Sequence, residues 1–183
     1  PPRTAFTVNL YTKEYYELQK RKLKPGGISA QWIPLHSQGE EEVAMHFKTF
    51  QSVFPYTMGW LSVANEILII GSDQPIKIDF NKLNERLQEP EIKKALKDIE
   101  IPDIFSFLSN IWLLNEQVVK LGEGYPLITD NHPAIEFYLE LGNVIGIPGQ
   151  ERYVFNRARF DDVAKQITNL SEENRQKLKI HYD

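Results

Sequence analysis

Gln31 and Trp32 place a hydrogen-bonding amide beside a large aromatic face at the end of a short apolar run. At the C-terminal edge of a strand in an α/β sheet, such a pair would line a ligand cleft. In a core it would be a buried indole with a hydrogen-bonded amide. Asp130, His132 and Glu136 include an i, i+4 His/Glu pair that could share a helix face and hold a metal. The same residues read better as a helix cap followed by a solvated glutamate, and no metal site is expected there. His36 and His46 have no ligand at metal-binding spacing and read as core or surface histidines. Gly122-Glu123-Gly124 is followed by Tyr125-Pro126 rather than by a helix, so it reads as a helix end and turn, not a phosphate loop. Lys20, Arg21, Lys22 and Lys24, near Tyr15 and Tyr16, could touch nucleic acid. A solvated helix end with cations at the favourable pole of its dipole also explains them. Ser29, Ser37, Ser52, Ser62 and Ser72 lack the glycines of a nucleophile elbow. There is no cysteine, which excludes disulfides, thiolate metal sites and a cysteine nucleophile.

These residues are carried by a recognisable series of elements. Asn9 to Leu23 reads as a helix, with Tyr11, Tyr15 and Leu18 on one face and Pro25-Gly26-Gly27 as its stop. Ile28–Ile33 reads as a buried strand. Gly39 to Val53 reads as a second helix, with Glu40, Glu41 and Glu42 in its first turn and a stripe of Val43, Phe47, Phe50 and Phe54. Tyr56–Val63 and Glu66–Gly71 read as a hairpin about Ala64-Asn65. From Asp79 onward the pattern is helical: Phe80–Leu87, Glu91–Ile99, the strongly apolar Ile104–Leu114, a start at Asp130–Pro133, and a tail pair, Asp161–Leu170 and Ser171–Ile180. Gly142 to Gly149 reads as a loop. Phe105, Phe107 and Trp112 suit a core or dimer interface better than a membrane surface.

The order helix, strand, helix, strand, strand, helices is how a doubly wound α/β sheet ends when its last two strands form a hairpin. The expected fold is therefore α/β. It is the C-terminal half of a Rossmann-like sheet (residues 1–78), followed by a helical extension (79–141) and a helical tail (142–183). The 183 residues suffice for one domain with a real core. At 42% hydrophobic and 25% charged residues, the composition is that of a soluble globular chain. A net charge of −4 gives no strong field to draw nucleic acid or an anionic membrane. No apolar run reaches the roughly 20 residues of a membrane helix, and no signal peptide is visible. The chain opens Pro-Pro-Arg without Met, as a cut or processed product or a piece of a longer protein would.

Three stretches together resemble the spermidine/spermine synthase family, and in particular its bacterial members in which this domain follows a membrane region. The first is Pro1-Pro2-Arg3-Thr4-Ala5 with Asn9-Leu10-Tyr11-Thr12-Lys13-Glu14-Tyr15-Tyr16. The second is Leu23-Lys24-Pro25-Gly26-Gly27-Ile28 with Gln31-Trp32-Ile33-Pro34-Leu35-His36. The third is Pro126-Leu127-Ile128-Thr129-Asp130-Asn131-His132-Pro133-Ala134-Ile135-Glu136-Phe137. The likeness covers roughly residues 1–140.

The resemblance implies a class I methyltransferase-type sheet and an aminopropyl transfer from decarboxylated S-adenosylmethionine to an amine such as putrescine. The attacking amine must be neutral, and a neighbouring carboxylate can take its proton. In the family that aspartate, like the glycine-rich cofactor turn, lies upstream of the residues matched here, so catalytic residues and adenosyl cofactor are expected outside this chain. The resemblance carries over Ala5 in the segment covering the active site, Tyr11 at the helix start, Gln31 at the cleft, and Tyr56 and Trp60 near the substrate-lining loop. The family's tyrosine loop is absent, since Phe54-Pro55-Tyr56-Thr57-Met58-Gly59-Trp60 runs straight into the hairpin. Two alternatives therefore stand beside aminopropyl transfer. One is a different transfer from S-adenosylmethionine on the same fold, and the other is a non-catalytic module of a membrane protein. The expected partners are a small-molecule amine and either a second copy or the missing N-terminal half, without nucleic acid. The expected location is cytoplasmic, with a membrane tether outside this segment if the chain is the soluble end of a membrane protein.

Overall fold

The computed structural model describes residues 7–35, 38–62, 66–136 and 157–182. The first helix divides in two. Thr7–Tyr11 is a turn of 3-10 helix, and α1 (Lys13–Lys22) starts after it. Thr12 causes the break: its hydroxyl accepts from the Tyr15 amide at 3.3 Å and caps α1, which requires extended backbone at that residue. The chain turns at Gly26, where φ of +70° suits glycine, and enters β1 (Ser29–Pro34). Helix α2 (Glu40–Val53) follows, its start closed by the Gly39 amide donating to Glu42 Oε2 at 2.7 Å. Then come β2 (Tyr56–Ser62) and β3 (Glu66–Ser72).

The main sheet has four strands in the order β1-β3-β2-β5, and every neighbouring pair is antiparallel. β3 lies between β1 and β2, with Ile69 level with Gln31 on one side and with Gly59 on the other. Since both flanking strands run against β3, β1 and β2 run parallel to each other, joined through α2. The anticipated hairpin is present. No two adjacent strands of the described main sheet run parallel, however, so the side-by-side parallel pairs of a Rossmann-like sheet are not among these residues.

Each face of the sheet is covered. Ile33, Ile67, Ile69 and Leu113 point into a core with Tyr16 of α1, Val43, Phe47 and Phe50 of α2, and Val118 of α6 (Asn115–Leu121). Met58, Trp60 and Ile111 point the other way. Their core includes Phe80 of α3 (Phe80–Leu87), Ile104 and Leu108 of α5 (Ile104–Ser109), Val163 of α7 (Phe160–Ala164), and Leu178 and Tyr182 of α8 (Glu172–Tyr182). α4 (Pro90–Asp98) lies outside, with Ile92 and Leu96 packed on this core. Strand β3 feeds both sides, which its unbroken run Ile67-Leu68-Ile69-Ile70 demands.

Three expectations are corrected here. Ile104–Leu114 is not one helix. Asn110 ends α5, and Ile111–Leu114 forms β5 on the edge of β2, where a register shift opposite Gly59 and Trp60 sets Trp112 and Leu113 against the first core and Ile111 and Leu114 against the second. Asp130–Pro133 opens only a 3-10 turn, Ala134–Glu136, after a bridge between Thr129 and His132. In the tail, α7 stops at Ala164, and Ile167–Thr168 (β6) pairs in parallel with Ile78–Asp79 (β4). The tail is fastened by Arg157, whose guanidinium sits 4.2 Å from the Trp112 ring centre and 3.5 Å from that of Tyr182. It also donates to the Ser109 and Tyr182 carbonyls, and the Tyr182 hydroxyl donates to the Ala158 carbonyl. The anticipated turn at Ala64-Asn65 and the loop from Gly142 to Gly149 lie outside the described residues. Among the described residues no helix is long and apolar enough to cross a membrane.

At Gly71 the sheet leaves no room for a side chain under α2 and Phe54. A Cβ there would lie 2.5 Å from Phe50 Cε1 and 2.7 Å from Phe54 Cβ. Gly71→Ala should therefore lower unfolding free energy by about 1–3 kcal/mol, read from denaturant midpoints at unchanged slope. An unchanged midpoint would mean that α2 does not close on β3 in this way.

Candidate functional site

The site begins with β1. Gln31 shares its sheet face with Ile33, the face that α2 covers. It is the third of the strand's residues rather than the last, so it stands inside the C-terminal edge where the sequence placed it. The 3-10 turn brings Tyr11 to the same place. Burial pushes the Tyr11 phenol up, and a hydrogen bond with the Gln31 side chain partly offsets that push. Tyr11 and Gln31 are thus brought together.

The other candidates are elsewhere. Trp60 points to the opposite face, where its Nε1 donates to the Phe107 carbonyl at 2.8 Å and its ring lies 5.2 Å from Phe107. Tyr56 is on that second face too, at the start of β2, and is exposed. Ala5 and His36 lie outside the described residues. Phe105 and Phe107 belong to the second core and Trp112 to the rim of the first. Gly122 ends α6, and Gly124, with φ of +81°, makes the turn after it.

Behind Tyr11 lies a polar cluster that the sequence left unassigned. His46 of α2 is fully buried, its ring centre 4.9 Å from that of Tyr11. Neither ring nitrogen has a hydrogen-bond partner, and the same holds for the buried Tyr16 hydroxyl and Gln38 Oε1. Thr49 completes this face of the helix, donating to the Met45 carbonyl at 2.7 Å and accepting from the Ile128 amide at 2.9 Å. The signal was present in the spacing: Glu42, His46 and Thr49 recur at i, i+4 and i+7, a buried polar stripe beside the apolar one. Burial alone holds the His46 ring down to about 3, so it is neutral at pH 7. Burial also raises the Tyr16 phenol, with smaller contributions from Tyr11 and Tyr15.

Tyr11, Gln31, Tyr16 and His46 offer neutral donors and acceptors. Gln31, which is partly exposed, and the Tyr11 phenol beside it suit orienting a polar ligand, whereas Tyr16 and His46 are fully buried, and none of the four carries a charge to activate one. Among the described residues no group of three His, Asp or Glu can hold a metal ion, and Asp130, His132 and Glu136 make no such centre. A concavity of about 140 Å³ lies elsewhere, lined by Lys20, Leu23, Lys24, Pro25, Phe54 and Asp73. It sits at the N-terminal ends of β1 and β2, the end of a parallel pair that ligands do not use, and Lys20 Nζ is committed to the Val53 carbonyl at 2.8 Å.

Compared with known proteins, the chain matches no family model, no curated protein and no solved structure. The reading of its function therefore rests on residues and geometry.

His46 makes stability depend on pH. Its ordinary value is 6.5 and its folded value about 3, so the unfolded chain binds the extra proton between those limits. This contribution is fully present above pH 6.5. It is lost as pH falls toward 3, by up to about 1.4 kcal/mol per pH unit. The difference in unfolding free energy between the native chain and His46→Leu should change with that slope in urea titrations. A difference independent of pH would contradict it.

Proposed function

We propose that this chain is the C-terminal part of a spermidine-synthase-like transferase, the later half of a Rossmann-like, class I methyltransferase-type domain. The observation that carries the reading is the strand arrangement. β1 and β2 run parallel through α2 with β3 inserted antiparallel between them, which is how such a sheet would end, and the outer edge of β1 has no strand beside it among the described residues. Further strands of the same sheet would continue from that edge, on the side where Gln31 and Tyr11 meet. Their supplier would be an upstream half of the polypeptide or, as the alternative, a second copy.

The described residues do not by themselves fit an adenosyl cofactor. Gly26-Gly27 leads into a strand and Gly124 into Tyr125-Pro126, and neither is a strand–glycine–helix turn able to set backbone amides against the ligand. Cofactor binding and proton abstraction are accordingly assigned to the other half. Gln31 and Tyr11 are assigned the orientation of an acceptor amine through uncharged hydrogen bonds. Transfer of a different group from S-adenosylmethionine is the second reading, favoured by Trp60 and Tyr56 standing on the far face of the sheet instead of beside Gln31.

The test is a polypeptide extended upstream through the expected aspartate and glycine-rich turn. It should release methylthioadenosine from decarboxylated S-adenosylmethionine when putrescine is added, and Gln31→Ala should lower kcat/KM for the amine about tenfold, the worth of one hydrogen bond of about 1.4 kcal/mol. Residues 1–183 alone should give no heat with either adenosyl compound in calorimetry. Micromolar binding by this chain, or transfer from S-adenosylmethionine alone, would remove the first reading.

A further inference from the structure

A third, smaller core lies outside the two that sandwich the sheet. Val8 and Tyr11 of the 3-10 turn, Met45 of α2, and Ile128 and Ile135 form it. It seats the 3-10 turn and the 125–136 segment on α2. Two hydrogen bonds cross the same seam: Lys13 amide to the Ile128 carbonyl at 2.9 Å, and Ile128 amide to Thr49 Oγ1 at 2.9 Å. His46 sits in this seam, next to Met45 and one turn before Thr49, fully buried, edge-on to Tyr11, with both ring nitrogens unpartnered.

We propose that His46 is an acid-sensitive latch on this seam: a proton on its ring drives the 3-10 turn and the 125–136 segment off α2 and parts Tyr11 from Gln31, while the four-stranded sheet stays formed. The latch goes beyond the transfer reading and holds whichever ligand meets Gln31.

The charge would arrive on a ring whose two nitrogens have no hydrogen-bond partner among the described residues. From the 3-10 turn the group facing His46 is the Tyr11 phenol. On α2 the ionisable group one turn back is Glu42, whose carboxylate accepts from the Gly39 amide. α1 carries Glu14, Tyr15 and Tyr16, and the 125–136 segment carries Tyr125, Asp130, His132 and Glu136. Glu14 accepts from the Asp130 amide at 3.0 Å. None of these contributes to the depressed basicity of His46, whose cause is burial alone. A buried imidazolium without a partner is strongly unfavourable. Expelling the seam restores its hydration.

The seam should yield before the sheet because it has less to lose. Five apolar side chains hold it, against the larger clusters on either face of the sheet. Such satellite packing opens locally at lower free energy than the central ladder. At pH 7 neither the closed nor the open seam holds the proton and closure is at full strength. Below 6.5 the open form takes it up, and each unit of acidification multiplies the open-to-closed ratio tenfold until pH nears 3.

Amide hydrogen exchange by NMR reads this directly. After correction for intrinsic exchange, the opening ratio at the Lys13 and Ile128 amides should rise about tenfold per pH unit from 6.5 to 4.5. The amides of the β2–β3 ladder should keep higher protection throughout. His46→Phe, which keeps a ring but cannot titrate, should abolish the pH dependence at the seam. His46→Gln serves the same purpose if the phenylalanine variant does not fold. Loss of protection at seam and ladder together, or an unchanged pH dependence in either variant, would overturn the latch.

Discussion

The insertion of β3 between β1 and β2 is the constraint on which the rest of the molecule depends. It makes β3 an interior strand that feeds both sheet cores with an unbroken apolar run, Ile67 and Ile69 into one and Leu68 and Ile70 into the other. Nothing polar can stand at those positions, and at Gly71 no side chain fits, because α2 closes on the strand through Phe50 and Phe54. With β3 fixed, α2 must cross over it to carry the chain from β1 to β2. That crossing lays the polar stripe of α2 against the 3-10 turn and brings His46 and Tyr11 together.

Much of this was legible in the sequence. The apolar stripe of Val43, Phe47 and Phe50, the glutamates at the start of α2, and the Ile67–Ile70 run are strong local signals, and the structure has a helix and a buried strand there. The hairpin partners were legible as well, but the neighbour of β1 was not. Strand order is set by long-range packing, and local pattern is silent about it. β5 was missed because Ile111–Leu114 follows a helical apolar run without glycine or proline between them. Only the edge of β2 decides that those residues extend. The division of the first helix is the opposite case. Thr12 is a strong capping residue, and its position two residues before Glu14 was a readable start signal.

The candidate site was half legible. Gln31 and Tyr11 were named through a resemblance to a family, and they meet. Trp60 and Tyr56 are near neighbours in the chain but lie on the far side of the sheet, because the two-residue period of β2 sends Met58 and Trp60 to one face and Gly59 to the other. His46 was legible only as a core or surface histidine, because it has no ligand-like partner at any diagnostic spacing, and its lack of hydrogen-bond partners only becomes significant once burial is known. A buried polar group without a hydrogen bond costs stability, and in a seam of five apolar side chains that cost is large relative to what holds the seam closed.

Cross-strand proton contacts measured by NMR on the chain in solution bear most directly on the strand arrangement from which all of this follows. The account requires the backbone protons of Ile69 to lie near those of Gln31 on one side and of Gly59 on the other. Direct contacts between Gln31 and Gly59, as adjacent parallel strands would give, would contradict it.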